Sequence, residues 1–267
     1  MGVINVTPDS FSDGGARLAR ADAVAAGLEM AEQGAGIIDI GGESTRPGAS
    51  PVTLGEELDR VLPVIESLAS AGLIVSVDTS KPEVARAAVE SGAEIVNDVT
   101  AASSEGMAEV IAASRAGVVL MHMKGTPRTM QNSPHYDDVL GEVMAFLEAR
   151  AGLVMEAGAE RSSIALDPGI GFGKTVSHNL LLIDGLGELA ALGFPVVLGA
   201  SRKSFLGKLT GIEGPGGRDG ATAVTTALGF ERGARIFRVH DVVSSLAALR
   251  VAGAIVSPEQ WEEWSPD

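Results

Sequence analysis

Short apolar runs, rich in β-branched residues, recur along the chain, and each of them ends in polar residues. Runs of this kind are typical of the buried strands of a parallel sheet. The pattern therefore predicts eight strands, which lie at residues 3–5, 37–43, 74–78, 95–98, 118–122, 164–167, 196–201 and 236–240.

The segments between these runs carry apolar residues at helical spacing. Examples are residues 21–33, 54–71, 82–91, 139–157 and 244–252. The centres of successive strands lie 20 to 46 residues apart, which leaves room for a strand, a helix and two loops. Eight such units predict an α/β fold, a (β/α)8 TIM barrel that spans residues 1–267 as a single domain.

The main alternative is a doubly wound open sheet. That architecture usually has fewer strands, and no glycine-rich turn for a dinucleotide follows the first run of this chain. No linker or low-complexity tract interrupts the pattern, and we expect residues 211–220, rich in Gly and Pro, to form only a long loop.

Charge and composition exclude several classes of partner and chemistry. Lys and Arg total 20 against 35 for Asp and Glu, and the net charge of −15 disfavours nucleic acid and anionic membranes as partners. No apolar stretch approaches the ~18 residues of a spanning helix, and the first residues lack the features of a signal peptide, so we expect a cytoplasmic location. The chain has no cysteine, and its four histidines are too widely spaced to form a zinc-binding pair on a helix.

The polar residues that end the runs are candidates for a shared site. In a barrel the carboxyl ends of all strands open on one side, here called the mouth, where barrel active sites are built. The residues expected there are Asn5, Asp39, Glu43, Asp78, Asn97, Asp98, His122, Asp167, Ser201, Arg202, Lys203, Arg238 and His240. A structural role is the alternative for each: Asp39 could be a hydrogen-bonding residue inside the fold, and Asp98 could cap the next turn.

A glycine-rich segment at residues 169–175 ends like a phosphate-binding P-loop. That motif requires a glycine five residues before Gly173, and Pro168 occupies the position, so the P-loop interpretation fails. The glycines instead favour a sharp turn over the mouth that presents Phe172, with a purely structural turn as the alternative. Two polar loops, at residues 9–15 and 43–48, are also typical of binding loops.

Taken in order, these motifs resemble those of dihydropteroate synthases, the pterin-binding enzymes of folate biosynthesis. The resemblance covers nearly the whole chain, and a motif at every strand end makes it more specific than any single match. The matching segments are NVTPDSFSDGG at residues 5–15, DIGGESTRPG at 39–48, SVDTS at 76–80, IVND at 95–98, MHMKGTP at 121–127, LDPGIGFGK at 166–174, SRKS at 201–204 and RVHD at 238–241.

The resemblance implies a transferase that condenses a dihydropterin-6-ylmethyl diphosphate with p-aminobenzoate and releases diphosphate. The edge of a pterin ring presents a fixed pattern of donors and acceptors, which carboxylates, amides and a lysine can match. Arg238 would lie against the ring face, a stacking role that lysine could not copy. The pterin contacts implied in this sequence are Asp78, Asn97, Met121, Asp167, Lys203 and Arg238.

The resemblance also implies how the other groups are held. Diphosphate would contact Asn5, Thr45, Arg238 and His240, and Asn5 would also meet Mg2+, which neutralises charge on the leaving group. Because the electron-rich dihydropterin delocalises the cation left behind, this dissociative mechanism needs no strong base. Asp13 and Arg46 would close over the site and act with Lys203 and Arg238 in catalysis. The slot for p-aminobenzoate would be formed by Phe11, Thr45, Pro47, Phe172, Ser201 and Lys203.

The nearest alternative is a barrel that binds methyltetrahydrofolate and presents its methyl group to a corrinoid protein. Such a protein shares the pterin contacts but does not need the motifs at residues 44–47 and 201–203 together. An inactive barrel that serves as a scaffold is a second alternative. The resemblance further implies a homodimer. It also implies inhibition by sulfonamides, because no extra residue beside Pro47 or Phe172 narrows the p-aminobenzoate slot.

Overall fold

The computed structural model describes residues 1–6, 15–44 and 48–260 of the chain. Within these ranges, eight short strands alternate with ten helices. The strands are β1 (Gly2–Asn5), β2 (Ile38–Gly41), β3 (Val75–Asp78), β4 (Ile95–Asp98), β5 (Gly117–Met121), β6 (Ile164–Asp167), β7 (Val197–Leu198) and β8 (Ile236–Phe237). The helices are α1 (Gly15–Glu32), α2 (Leu54–Ser70), α3 (Pro82–Glu90), α4 (Met107–Ser114), α5 (Val139–Glu156), α6 (Val176–Asp184), α7 (Leu186–Ala190), α8 (Ser204–Thr210), α9 (Asp219–Glu231) and α10 (Val242–Val256).

The strands pair in parallel, and the sheet closes on itself. β1 to β6 form one sheet in chain order, and β7 pairs with β8. A bridge between Leu166 and Val196 joins β6 to the β7 segment, and a bridge between Gly2 and Val239 joins the β8 segment to β1. At that second closure, Val239 N donates to Met1 O at 2.9 Å. The predicted (β/α)8 barrel is therefore confirmed.

Successive residues of a strand face in turn outward, toward the helices, and inward, toward the barrel interior. Those that face outward, such as Ile40 and Val77, are fully buried in the core beneath the helices. Those that face inward form a smaller apolar cluster of Val119, Ala165 and Val197, with Ile95 and Ile236 against it. The next inward position in each of these five segments lies two residues later in the chain. These positions are Asn97, Met121, Asp167, Gly199 and Arg238. A mostly polar layer thus lies directly above the apolar one, at the mouth.

One expectation about the loops is wrong. Residues 211–220 do not form a long irregular loop, because a 3-10 turn occupies Pro215–Arg218 and α9 begins at Asp219. The guanidinium of Arg218 stabilises this segment by donating to Ile212 O at 3.0 Å and to Arg202 O at 2.9 Å.

None of the described helices combines the length and the apolar character that a membrane span requires.

Candidate active site

Arg238, just after β8, binds two carboxylates from neighbouring strands. Its Nε donates to Asp39 Oδ2 at 2.6 Å, and its Nη2 donates to Asp78 Oδ2 at 2.7 Å. Asn97 Nδ2 donates to the same oxygen of Asp39 at 3.2 Å. Asp39 is fully buried and Asp78 nearly so, whereas the side chain of Arg238 is 23% exposed. The guanidinium is therefore held in place from below while part of it remains accessible from the mouth.

The charges in this cluster perturb each other. Burial raises the pKa of Asp78 to about 7, although Arg238 opposes the change. Burial also lowers the pKa of Arg238, but Asp39 and Asp78 more than offset it, so that this pKa is raised overall. One guanidinium shared by two carboxylates leaves a net negative charge when all three groups are ionised, which favours a proton on Asp78 near neutral pH.

Asp167 and Lys203 are two further charged groups near Arg238, and they are coupled electrostatically. Asp167 Oδ1 accepts from Gly169 N at 2.7 Å, and burial raises the pKa of this carboxyl while Lys203 opposes the change. Burial lowers the pKa of Lys203 to about 8 against the effect of Asp167. A Cβ at Gly199 would lie 3.6 Å from Asp167 Oδ2 and 4.0 Å from Lys203 Nζ, so these two charged groups flank the glycine.

Strand register brings further predicted residues to the mouth. Asn5 pairs with Gly41, Gly41 with Asp78, and Asp78 with Asn97 along the first four strands. A Cβ at Gly41 would lie 3.5 Å from Asn5 Oδ1 and 3.8 Å from Asp78 Oδ2, so the absence of a side chain leaves these two oxygens facing a shared space.

The last strands contribute a hydroxyl and an imidazole. Ser201 Oγ lies 2.9 Å from His240 Nδ1 and accepts from His240 N at 3.1 Å. On the neighbouring loop, the ring of Phe172 lies 4.5 Å from Lys203 Nζ, and Met121 is the register partner of Asp167. The described residues of the predicted slot, Phe172, Ser201 and Lys203, therefore all lie at the mouth.

Other strand-end residues have structural roles. Asp98 accepts from Thr100 N at 2.7 Å and from Ala102 N at 2.9 Å, which is the capping role considered as its alternative. The guanidinium of Arg202 pairs with Asp219 rather than with the cluster. Glu43 forms an ion pair with Lys81, which also binds the buried carboxylate of Glu57. Phe11, Asp13, Thr45, Arg46 and Pro47 lie outside the described residues.

Comparison with known proteins identifies the family. A family model described as pterin binding enzyme matches residues 1–240. The dihydropteroate synthase of Escherichia coli (strain K12) is 45% identical over 261 residues, a match that covers 97% of this chain and 92% of that protein. The chain belongs to the dihydropteroate synthase family.

Solved structures of the dihydropteroate synthase family match the fold closely. The Xanthomonas albilineans enzyme with 4-aminobenzoic acid superposes with a TM-score of 0.91 at 48% identity, covering 96% of this chain and 92% of that one. The Yersinia pestis enzyme, solved with a sulfonamide drug complex, gives a TM-score of 0.91 at 41% identity and covers 96% of this chain and 93% of that one. These matches extend to the barrel as a whole.

The sequence of this dihydropteroate synthase family member does not reveal that one lysine, Lys174, is buried. Lys174 ends the glycine-rich motif, and it is 3% exposed. Its Nζ lies 2.9 Å from Nδ1 of His122. The sole signal in the sequence is a lysine directly after a glycine-rich turn, and that pattern does not say whether the side chain faces solvent or the interior.

Proposed function

We propose that this chain condenses (7,8-dihydropterin-6-yl)methyl diphosphate with p-aminobenzoate to give 7,8-dihydropteroate and diphosphate. The observation that carries the proposal is the buried set of Asp78, Asn97 and Asp167 beside Lys203 and Arg238. These side chains offer carboxylate acceptors, an amide and two cations within one mouth, which suits a flat polar ring that carries an anionic group.

Each group has a distinct role in the proposal. Asp167 and Asn97 recognise the polar edge of the pterin, and Lys203 donates to a ring acceptor. Arg238, held by Asp39 and Asp78, stacks on the ring and attracts the diphosphate through its accessible part. As diphosphate leaves, its growing negative charge is stabilised by a guanidinium that does not need to reorient.

The proposal includes Mg2+ near Asn5. The side-chain oxygen of Asn5 lies at the mouth next to Asp78, and magnesium prefers oxygen ligands. Asn5 would hold the ion together with diphosphate oxygens. When bound, the ion neutralises charge on the leaving group. His240, fixed by Ser201, would hold the diphosphate from the neighbouring β8 segment.

The second substrate would occupy the space above Phe172. We propose that Phe172, Ser201 and Lys203 form its slot with Phe11, Thr45 and Pro47, and that Asp13 and Arg46 close over it. Because the Yersinia pestis relative was solved with a sulfonamide drug complex, we expect sulfonamides to compete with p-aminobenzoate here. Steady-state inhibition at several p-aminobenzoate concentrations checks this, and inhibition unaffected by the substrate would contradict it.

We also propose a homodimer in which two copies meet through α9 and α10. These helices pack against each other and carry six exposed large apolar side chains within the described residues. They are Val224, Leu228, Val243, Val251, Ile255 and Val256. A surface of this kind is stabilised by burial against a second copy. One pterin-binding domain over residues 1–267 and a cytoplasmic location complete the proposal and stay predictions.

One coupled experiment tests the function. The protein is titrated with the dihydropterin diphosphate, and diphosphate release is then followed after p-aminobenzoate is added, with and without Mg2+. A synthase releases diphosphate only when both substrates are present. Binding of methyltetrahydrofolate without any diphosphate release would instead support the methyl-transfer alternative, and no binding of either pterin would support a scaffold.

A further inference from the structure

The loop between β6 and α6, residues 169–174, is held by side chains from other parts of the barrel. Gln131 Nε2 donates to Gly171 O at 2.8 Å, and the hydroxyl of Tyr136 donates to Gly173 O at 2.9 Å. Asn179 Oδ1 accepts from Gly171 N at 2.7 Å. Lys203 Nζ donates to Ile170 O. A loop with this many backbone groups bound from outside behaves as a fixed wall rather than as a moving flap.

Lys174 supplies the remaining support from beneath the loop. Its Nζ lies 2.9 Å from His122 Nδ1, 3.0 Å from Phe172 O and 3.4 Å from His122 O. An ammonium has three N–H donors, and these three acceptors match that number. Burial lowers the pKa of Lys174 to about 7, although Asp167 opposes the change, so the ammonium and the neutral amine are both present near neutral pH. Either form can donate a hydrogen bond to the carbonyl of Phe172.

The acceptor ring of His122 is itself immobilised. It packs edge-on against Phe146, with 4.9 Å between ring centroids, and lies 6.1 Å from the ring of Tyr136. Burial and the neighbouring Lys174 lower the pKa of His122 to about 3, so the imidazole is neutral and its Nδ1 accepts a hydrogen bond from Lys174 Nζ. Lys174 is thereby anchored to a rigid part of the β5 end.

This anchor reaches Phe172 through its backbone. Lys174 binds the carbonyl of Phe172, and the N–H of Phe172 donates to Gly169 O at 3.0 Å within the turn. With both backbone groups held, the ring keeps its place 4.5 Å from Lys203 Nζ. Among the described residues, Lys174 is hydrogen-bonded to His122 and to this loop and is coupled electrostatically to Asp167 and Lys203, so its hold on Phe172 passes through the loop.

We propose that Lys174 is a positioning residue for the second substrate: by tying the Phe172 carbonyl to the ring of His122, it fixes the wall of the p-aminobenzoate slot. This inference rests on the proposed function and deepens it. The residue sets where Phe172 stands and is not itself one of the pterin contacts.

The test compares Lys174→Met with Lys208→Met, which removes an exposed lysine from α8. We expect Lys174→Met to raise the KM for p-aminobenzoate about tenfold while changing the affinity for the dihydropterin diphosphate by less than about twofold. Lys174→Gln, which retains one donor for the Phe172 carbonyl, should recover part of the loss. Lys208→Met should leave both quantities unchanged.

A double-mutant cycle shows whether the effect passes through Phe172. In a Phe172→Ala background, Lys174→Met should raise the KM for p-aminobenzoate by less than about twofold, because the wall is already absent. A full tenfold rise in that background would overturn the proposal, as would equal losses for both substrates.

Hydrogen–deuterium exchange of the peptide at residues 169–173 measures the loop without turnover. Lys174→Met should accelerate its exchange several-fold, and unchanged exchange would overturn the proposal. If Lys174→Met is too unstable for kinetics, the exchange of Lys174→Gln is measured instead and is judged by the same criterion. The unaltered protein alone decides the proposed function: if it releases no diphosphate with both substrates present, that function fails, whereas the variants report on Lys174.

Discussion

The role of each side chain at a strand end depends on whether it faces into the barrel or out of it. Asn97 points inward and joins the cluster at Arg238, so the next residue, Asp98, points outward and caps a turn. Asp39 shares the inward orientation and binds Arg238. The sequence predicts that carboxylates collect at strand ends, but the inward or outward direction depends on register. The capping alternative therefore applies to Asp98, and Asp39 is a buried hydrogen-bonding residue that holds Arg238 within the cluster.

Asp167→Ala is expected to weaken pterin binding by at least tenfold while the fold stays intact. Loss of the carboxylate leaves polar groups of a buried ligand unpaired, at a cost of about 1.5–3 kcal/mol. Calorimetry with a pterin ligand measures the change, and Asp137→Ala, which alters a fully solvated carboxylate, is the control. Unchanged affinity in Asp167→Ala would remove this residue from the site.

Lys203 is expected to make pterin diphosphate binding depend on pH above neutrality. Its pKa is lowered to about 8 by burial, so the ammonium loses its proton between pH 7 and pH 9 and the attraction for an anionic ligand falls with it. Affinity should decrease about fivefold from pH 8 to pH 9. Lys203→Gln should bind more weakly and lack this decrease. The same pH dependence in both proteins would assign the titration to another group.

At the scale of elements, short strands and tight loops aim the side chains. The sequence predicts β7 over residues 196–201 and β8 over 236–240, but the strands end at Leu198 and Phe237. Beyond these bounds the β8 segment keeps, among the described residues, only an isolated bridge between Val239 and Gly2, and Ser201 and His240 bind each other. Apolar patterning predicts where a strand lies; it carries no information on where pairing stops, because that depends on neighbours distant in sequence.

The β6–α6 loop depends on glycine at its first position. Gly169 has φ +69°, and a Cβ there would lie 1.8 Å from His122 O. Gly72, with φ +82°, has open space around the same position. We expect Gly72→Ala to reduce the free energy of unfolding by about 1 kcal/mol and Gly169→Ala by about 3 kcal/mol or more. Urea denaturation measures both, and equal losses would show that the loop can move aside.

At the scale of the whole molecule, the exposed apolar face of α9 and α10 predicts assembly. Val224→Glu combined with Val251→Glu should convert the dimer to a monomer, because two charges would have to be buried in the contact. Leu181→Glu, at another exposed apolar position on α6, should leave the dimer intact. Light scattering after size-exclusion chromatography gives the mass, and a monomeric unaltered protein would contradict the proposal.

The Arg238 cluster joins segments that the ribosome makes far apart in time. Arg238 lies 199 residues after Asp39 and 160 after Asp78, so the two carboxylates emerge while most of the chain has yet to be synthesised. Until the β8 segment has been synthesised, these two carboxylates lack the guanidinium of Arg238, and the barrel lacks the pairing that closes it. A nascent chain therefore cannot hold the pterin, and substrate capture becomes a property of the finished polypeptide alone.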